Sequence, residues 1–345
     1  MSRFRSVLCS LFMSLAAGIP GPAGAADALP ALHADGARTS VSGLSSGAFM
    51  AVQYAVAFSG SVIGVASIAG GPYNCANTAF GNVQMCMTGS PSSSLAWTTA
   101  RQLESAGQLD PLTGIARQKV YLFHGTRDST VGLPATAATR DFYRAAGVPT
   151  GRLVYVTSPP AGHAFIAPSA SNDCGDSRDP YVVHCVVKSR RYDQPRHILE
   201  HIHGPLKAPA TALSSTVRPF DQREFASPAT SLDPLGFVYI PTACAATGAG
   251  CAVHVVFHGC LQGAESVGPA VYGSVGFNRW ADTNRLIVLY PQAMKSPVVP
   301  FNPKGCWDWW GSLFGAPYTG PTFMVRSGVQ LSAVKAMVDR LTGGH

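Results

Sequence analysis

The sequence has few charged residues for its length. They make up 12% of the 345 positions, whereas about 25% is usual in globular proteins. The formal net charge of +7 comes from scattered Lys and Arg, with no dense basic run. Nucleic-acid-binding surfaces cluster these residues, so we expect no nucleic-acid partner. The 46% of hydrophobic residues excludes a chain that is disordered throughout and favours a sizeable core.

Long apolar runs are also missing. No run long enough for a membrane span follows the first 25 residues, so we expect none. The chain begins with Arg3 and Arg5, a short apolar stretch over Val7–Ile19 and an A-x-A site at 23–25. This order is typical of a secretory signal peptide, with an amphipathic helix as the alternative. We predict a signal peptide at 1–25, a single domain at 26–345, and secretion into the periplasm or the medium.

The cysteines contain no C-x-x-C motif, which argues against a zinc cluster, and we expect no metal and no cofactor. Of nine cysteines, Cys9 falls in the predicted signal peptide. The other eight suggest four disulfides formed in an oxidising compartment. Eight cysteines allow roughly a hundred pairings, so the sequence does not fix the connectivity. Short loops favour the sequential pairs Cys75–Cys86, Cys174–Cys185, Cys244–Cys251 and Cys260–Cys306.

No internal repeat is evident, which argues against a solenoid, and strand patterns alternate with helix patterns instead. The predicted strands are Arg38–Ser42, Val62–Ile68, Lys119–Phe123, Leu153–Thr157, Phe237–Ile240, Val253–Phe257 and Leu286–Tyr290. The predicted helices are Ser46–Phe58, Ser94–Ala106, Ala135–Ala146, Gln194–His203 and about Val329–Leu341. This alternation predicts an α/β fold with a mostly parallel central sheet flanked by helices.

A candidate nucleophile lies in the sequence GLSSG at 43–47, which matches G-x-S-x-G. The motif lies where a predicted strand gives way to a predicted helix, the context of a nucleophile elbow. The N-terminus of the following helix favours negative charge near the serine. We predict that Ser45 is the nucleophile. The alternative is an ordinary Gly/Ser loop that caps a helix, with Ser46 as the neighbouring candidate.

The candidate acid and base follow the next strands. An HGxxD sequence at 124–128 ends a predicted strand, and its Asp128 could orient a histidine. His163 lies on a Gly/Pro loop after the following strand and is the predicted general base. The order Ser, Asp, His is that of α/β-hydrolases. The alternatives are a turn-capping Asp128 and a surface His163, and we predict a structural role for His124.

The sequence HGC at 258–260 ends another apolar strand. In an α/β-hydrolase the oxyanion loop precedes the nucleophile, whereas here it follows about 200 residues later. Too few residues precede Ser45 to form the usual leading strands, so we interpret the order as a circular permutation. We predict that the backbone N–H groups of Ser46 and Cys260 form the oxyanion hole. The alternative is a plain strand turn carrying a disulfide.

Together these motifs resemble the circularly permuted, single-domain poly(3-hydroxybutyrate) depolymerases. The resemblance is carried by GLSSGAFMA at 43–51, HGxxD at 124–128, GH at 162–163, HGC at 258–260 and GCWDWW at 305–310. It implies a disulfide-stapled α/β-hydrolase domain and a secreted serine esterase that cleaves polyester to 3-hydroxybutyrate oligomers or monomer. It also implies a Ser45–Asp128–His163 triad with the Cys260 amide as an oxyanion donor. We expect a monomer without a separate substrate-binding domain, and therefore weak attack on crystalline polymer.

Three tryptophans in the last motif are candidates for substrate binding. Trp307, Trp309 and Trp310 offer aromatic faces that suit an apolar polyester with few hydrogen-bond donors. A disulfide between Cys260 and Cys306 would hold this segment beside the oxyanion loop. The alternative is that the tryptophans belong to the core.

One further motif, HILEH at 197–201, matches the metalloprotease pattern H-x-x-E-H. His197 and His201 share a helix face, but no third ligand is identifiable. We therefore predict an exposed polar stripe of an amphipathic helix.

Two other functions remain open from the sequence. The same serine machinery occurs in secreted feruloyl and acetyl esterases that act on polysaccharide esters. A protein that binds polyester without cleaving it is the alternative from a different class.

Overall fold

The fold is built on a central sheet of eight strands. This computed structural model describes residues 26–227, 230–298, 301–311 and 322–343, and the predicted signal peptide at 1–25 lies outside them. The strands are β1 (Asp35–Leu44), β2 (Val62–Ile68), β3 (Lys119–Phe123), β4 (Leu153–Val156), β5 (Val217–Asp221), β6 (Leu235–Tyr239), β7 (Ala252–Phe257) and β8 (Leu286–Tyr290). Their order across the sheet is β5-β6-β8-β7-β1-β2-β3-β4. Neighbours from β8 to β4 pair in parallel, whereas β6 is antiparallel to both β5 and β8.

Helices cover both faces of this sheet. The longer ones are α1 (Ser46–Ala57), α2 (Ser93–Ser105), α3 (Leu133–Ala145), α4 (Gln194–His203), α5 (Phe277–Thr283) and α6 (Val329–Thr342). One face packs against α1, α2, α3 and α6, and the other packs against α4 and α5. Successive strand residues serve opposite faces: Val65 and Val255 join the first core, Ala66 and Val256 the second. Because both faces are buried, β3 and β8 are nearly continuous apolar runs, whereas β1 and β7 also carry buried polar side chains.

Short helices and strands lie in the segments that connect the elements of the large sheet. Four helices of one turn lie at Cys75–Thr78, Val83–Met87, Thr242–Ala245 and Ala264–Val267. Turns of 3-10 helix occupy Leu112–Arg117, Thr150–Arg152 and Gln222–Glu224, and a π-helical turn occupies Ala270–Ser274. A small sheet joins Phe165–Ile166, Val182–His184 and Asn172–Asp173, and a hairpin joins Val186–Val187 to Arg190–Arg191.

Every strand and helix expected from the sequence is present, with ends that differ by a few residues. The sequence did not reveal β5 and α5. Strand β5 lies at the sheet edge, contains Pro219 and buries Phe220 alone, so it lacks the apolar pattern of a central strand. Helix α5 has seven residues, too few for a clear helical period.

The strand order confirms the predicted permutation. β1 to β4 occupy one half of the sheet and β5 to β8 the other, so the strand before Ser45 lies in the middle beside β7. The last helix ends where this strand begins: the backbone amides of Leu32 and Ala34 both donate to the carbonyl oxygen of Leu341. A continuous α/β sheet opened between α6 and β1 has this arrangement.

Four disulfides cross-link the described residues. They join Cys75 to Cys86, Cys174 to Cys185, Cys244 to Cys251 and Cys260 to Cys306, which are the sequential pairs. The last of them spans 46 residues and ties the end of β7 to the tryptophan segment. No helix within the described ranges is long and apolar enough to cross a membrane.

The turn from β1 into α1 packs tightly against the end of β7. A Cβ added at Gly43 would lie 2.1 Å from the carbonyl oxygen of Gly47. A Cβ added at Gly47 would lie 2.4 Å from the carbonyl oxygens of both Phe257 and His258. Both distances are far below van der Waals contact, so this contact requires glycine.

We expect Gly47→Ala to force α1 away from β7. The resulting overpacking should lower the free energy of unfolding by about 1–3 kcal/mol and reduce hydrolytic activity. Urea denaturation measures the change. Gly151→Ala is the matched control, because its added Cβ meets no atom within 4 Å. Equal stability of the two variants would contradict the role of this contact.

Candidate active site

Ser45 occupies the sharp turn between β1 and α1. Its backbone has φ 58° and ψ −124°, a conformation that residues other than glycine seldom adopt. The turn is held by a hydrogen bond from the Ser45 amide to the carbonyl oxygen of Ile68, at the end of β2. Strain of this kind is typical of a nucleophile elbow, where it exposes the hydroxyl at the sheet edge.

Asp128 and His163 form a buried pair at the same edge. Nδ1 of His163 donates to Oδ2 of Asp128 at 2.7 Å. The other carboxylate oxygen accepts the backbone amides of Thr130 and Val131 at 2.9 and 3.0 Å. Burial by itself would raise the pKa of Asp128, but the hydrogen bond and charge of His163 and the two amides lower it below its usual value. The carboxylate is therefore ionised at neutral pH and fixes Nδ1 as the protonated nitrogen of the ring.

The loop that carries this pair is braced by two further contacts. The backbone amide of His163 donates to the hydroxyl of Ser177 at 2.7 Å. The ring of His124 donates from Nε2 to the carbonyl oxygen of Val131 at 2.9 Å, which holds the turn around Asp128. His124 therefore has the structural role that its place in the HGxxD sequence suggested.

Ser45 and His163 line one cavity of about 540 Å³. Within the described ranges, neither the Ser45 hydroxyl nor Nε2 of His163 has a hydrogen-bond partner. Because Asp128 holds Nδ1, Nε2 is the nitrogen left to exchange a proton with a cavity group. Contacts of this kind commonly tighten only when substrate is bound.

Ser46 and Cys260, whose amides are the predicted oxyanion donors, both line the same cavity. Ser46 is the first residue of α1, and its N–H has no intrahelical partner because it lies in the first turn. Cys260 follows the end of β7. This arrangement brings the two predicted oxyanion donors together, although they lie more than 200 residues apart in the chain.

The three tryptophans differ in their surroundings. Trp307 is fully buried, packs edge-on against Phe257 with ring centroids 5.1 Å apart, and does not line the cavity. The prediction that Trp307 binds substrate is therefore wrong, because its ring fills the core behind β7. Trp309 and Trp310 do line the cavity. Trp309 stacks on Phe49 at 4.0 Å, and Trp310 meets Trp309 edge-on at 5.4 Å.

Other parts of the cavity lining come from residues that no sequence motif marks. Val83 and Met87 lie on a short helix, and Tyr181 and Leu261 lie on loops. The closest indication in the sequence was the predicted disulfide between Cys75 and Cys86, because Cys86 lies on the same short helix as Val83 and Met87. Together with the tryptophans these side chains make the cavity largely apolar.

The H-x-x-E-H motif on α4 lies outside this cavity. His197 packs on the ring of Tyr192 at 4.5 Å, and Nε2 of His201 is 3.1 Å from the carbonyl oxygen of Arg152. Glu200 pairs with Arg196 at 3.3 Å. Each member of the motif is thus engaged with a different neighbour.

A buried carboxyl group lies in the segment that carries the three tryptophans. Asp308 is 2% exposed, and its Oδ1 accepts the backbone amides of Trp310 and Gly311 at 3.1 and 2.9 Å. Its Oδ2 has no hydrogen-bond partner in the described part of the chain. Burial raises the pKa of Asp308 to about 7, and the two amides only partly oppose this effect.

Comparison with known proteins gives two relatives over most of the chain, whereas no family model matches it. The chain is 39% identical over 332 residues to the poly(3-hydroxybutyrate) depolymerase of Delftia acidovorans. That match covers 94% of this chain and 63% of the relative, so the chain spans less than two thirds of its length. It is 34% identical over 337 residues to the polyhydroxybutyrate depolymerase of Talaromyces funiculosus, covering 93% of this chain and 94% of the relative.

Two solved structures have a similar fold. The crystal structure of PHB depolymerase from Penicillium funiculosum matches with a TM-score of 0.81 and 33% identity. A PHB depolymerase with a serine-to-alanine substitution, complexed with an R3HB trimer, matches with a TM-score of 0.81 and 32% identity. Each match covers 92% of this chain and 99% of the other.

Asp308 predicts a specific dependence of stability on pH. Its folded pKa of about 7 lies above the ordinary value of 3.8, so the folded state retains a proton that the unfolded state releases. The contribution of the neutral carboxyl is complete below pH ~4 and is lost as the pH rises to ~7, by up to ~1.4 kcal/mol per pH unit.

We expect Asp308→Asn to remove this dependence while keeping an acceptor for the two amides. Urea denaturation between pH 4 and 7.5 should give a shallower slope of stability for the variant than for the unmodified protein. Asp173→Asn, at a side chain that is 88% exposed, serves as the control. Parallel curves for the Asp308 variant and the unmodified protein would show that the carboxyl titrates normally.

Proposed function

This chain belongs to the polyhydroxybutyrate depolymerase family, and on that premise we propose that it is a serine esterase that hydrolyses poly(3-hydroxybutyrate) and its oligomers. One observation carries the proposal. His163, which is hydrogen-bonded to Asp128, lines the same apolar cavity as Ser45 on its strained turn. These are the groups that an acyl transfer needs at one place.

The proposed reaction has two halves. In the first, Nε2 of His163 takes the proton of Ser45 as its Oγ attacks the ester carbonyl, and the Ser46 and Cys260 amides hold the oxyanion. The intermediate collapses, and His163 protonates the departing hydroxyl end of the chain. In the second half His163 takes a proton from the water that attacks the acyl–Ser45 ester, the bond between the acyl group and Oγ breaks, and His163 returns the proton to Oγ as the acid product leaves. Ionised Asp128 stabilises the charged imidazole in both halves.

The cavity supports a polyester as the substrate. Its walls include Trp309, Trp310, Val83 and Met87, whose apolar surfaces suit a chain of ester units without hydrogen-bond donors. The solved structure with a bound R3HB trimer gives independent support from a relative. We infer that Trp309 and Trp310 contact the chain on one side of the scissile ester.

Four disulfides support export of the protein, because such bonds persist in oxidising compartments. The signal-peptide pattern at 1–25 agrees with this inference. We propose that the protein acts outside the cytoplasm.

We expect purified protein to clear a suspension of amorphous poly(3-hydroxybutyrate) and release soluble hydroxy acids. Ser45→Ala should lower the rate by ~10⁴–10⁶, because it removes the nucleophile. Turbidity and chromatography of the products measure the effect. Ser94→Ala, at an exposed position of α2, is the control.

Three outcomes would overturn the proposal. Near-full activity of correctly folded Ser45→Ala would exclude this serine. Release of acid from acetylated xylan or a feruloylated polysaccharide, but not from the polyester, would identify a polysaccharide esterase. Binding of the polymer without any product would indicate a non-catalytic binding protein.

We expect Trp310→Ala to raise KM for the 3-hydroxybutyrate trimer several-fold while leaving KM for a p-nitrophenyl acetate substrate nearly unchanged. The reason is that the lost aromatic face contacts only the longer chain. Trp307→Ala is the contrasting variant and should instead lower the free energy of unfolding by ~3–5 kcal/mol, since its ring is core. Equal changes of KM for both substrates would argue against a binding role for Trp310.

A further inference from the structure

The ring of His258 bridges two backbone groups at the end of β7. It is fully buried, with Nδ1 2.7 Å from the carbonyl oxygen of Gly259 and Nε2 3.0 Å from the amide nitrogen of Ala293. A carbonyl can only accept and an amide can only donate. Nδ1 therefore carries the proton and Nε2 is unprotonated. Burial lowers the pKa of His258 to about 4, which keeps the ring in this neutral form at neutral pH.

This ring sets the direction of the Gly259–Cys260 peptide. The peptide is trans, so its C=O and N–H groups point in opposite directions. The carbonyl oxygen points to the buried His258 ring, which lies outside the cavity lining. The Cys260 N–H must then point the other way, toward the cavity that Gly259 and Cys260 line with Ser45.

Gln262 holds the same residue from the other side. Its Oε1 accepts the Gly259 amide at 2.8 Å, and its backbone amide donates to the Gly259 carbonyl oxygen at 3.2 Å. Its Nε2 donates to the carbonyl oxygens of Pro180 and Tyr181 at 3.2 and 3.0 Å. Gly259 thus has both of its backbone polar groups fixed by His258 and Gln262.

The hydrogen bonds of the turn at residues 259–262 leave one backbone amide without a partner among the described residues. Gly259 donates to Gln262, Leu261 donates to the carbonyl oxygen of Lys304, and Gln262 donates to Gly259. The Cys260 amide is the one N–H of residues 259–262 without a partner in the described structure.

We propose that His258 and Gln262 are positioning residues that clamp the Gly259 backbone so that the Cys260 N–H points at the oxyanion site. The inference rests on the proposed esterase function. Without the clamp the peptide would be able to rotate and present its carbonyl oxygen, which would repel the developing negative charge. Donors held in place before the reaction stabilise a transition state without further reorganisation.

A pair of substitutions separates the two nitrogens of the ring. The amide nitrogen of an asparagine lies close to the position of Nδ1, so His258→Asn keeps a donor for the Gly259 carbonyl oxygen. The longer His258→Gln places its amide near the position of Nε2 and loses that donor. We expect His258→Gln to lower kcat for p-nitrophenyl acetate by about 10²-fold, close to the loss of one oxyanion donor, with KM within twofold. His258→Asn should lower kcat by less than tenfold.

Thermal unfolding of both variants provides the structural control. Equal losses of kcat in the two variants at similar melting temperatures would overturn the inference, as would a change confined to KM. If His258→Gln does not fold, Gln262→Met tests the same clamp from the Gly259 amide. That variant should lower kcat at least tenfold with unchanged KM, and unchanged kcat would overturn the inference.

Ser45→Ala in the same assay distinguishes this inference from the proposed function. Activity that depends on Ser45 but not on His258 or Gln262 would leave the esterase in place and remove the clamp. Ester hydrolysis that does not depend on Ser45 would instead remove the proposed function.

Discussion

The site depends on the parallel pairing of β1 with β7. Their register sets Gly43 opposite Phe257, so the serine turn and the HGC segment leave the sheet at the same level. Buried polar groups reinforce the pairing from within: the ring of His254 lies 2.8 Å from the Ser40 hydroxyl and 2.9 Å from the Ser42 hydroxyl. Both ring nitrogens are thus bonded to hydroxyl groups of β1. A slip of one residue along this pair would shift Ser45 relative to the HGC segment and move the side chains of the slipped strand to the opposite face of the sheet.

The parallel strands also bring Asp128 and His163 to the same edge of the sheet. Asp128 follows β3 and His163 follows β4, so both leave the sheet at the edge that Ser45 and Cys260 share. Ligand sites of open α/β sheets lie at this edge because the strands all end there. The sheet therefore determines which residues meet, and the loops determine their final contacts. The Asp128–His163 bond is one such contact, and it depends on turns that the sequence marks with glycine at 125 and 162.

The sequence was informative where a residue type required by the chemistry stands at a position that the strand pattern also marks. Ser45, Asp128 and His163 stand in short motifs at strand ends, and β2, β3, β7 and β8 are largely apolar. Both the motifs and these strands could therefore be identified in the sequence. The wall of the cavity could not be predicted, because Val83 and Met87 lie on a helix of one turn and Tyr181 lies on a loop, and neither leaves a pattern in the sequence. The prediction for Trp307 was wrong for a related reason. Neighbouring tryptophans in an irregular segment have no period from which to assign a face, and packing against Phe257 decided the outcome.

The permuted order also affects how the chain is assembled. The central strand β1 is synthesised before β7. Ser42 of β1 forms its buried hydrogen bond with His254 of β7, which lies 212 positions later in the chain. Until β7 emerges, one side of β1 is an open edge with no strand to cover it, and such edges invite pairing between molecules. Contacts of such sequence separation also form slowly. The pairing that builds the site therefore forms only after β7 has been synthesised.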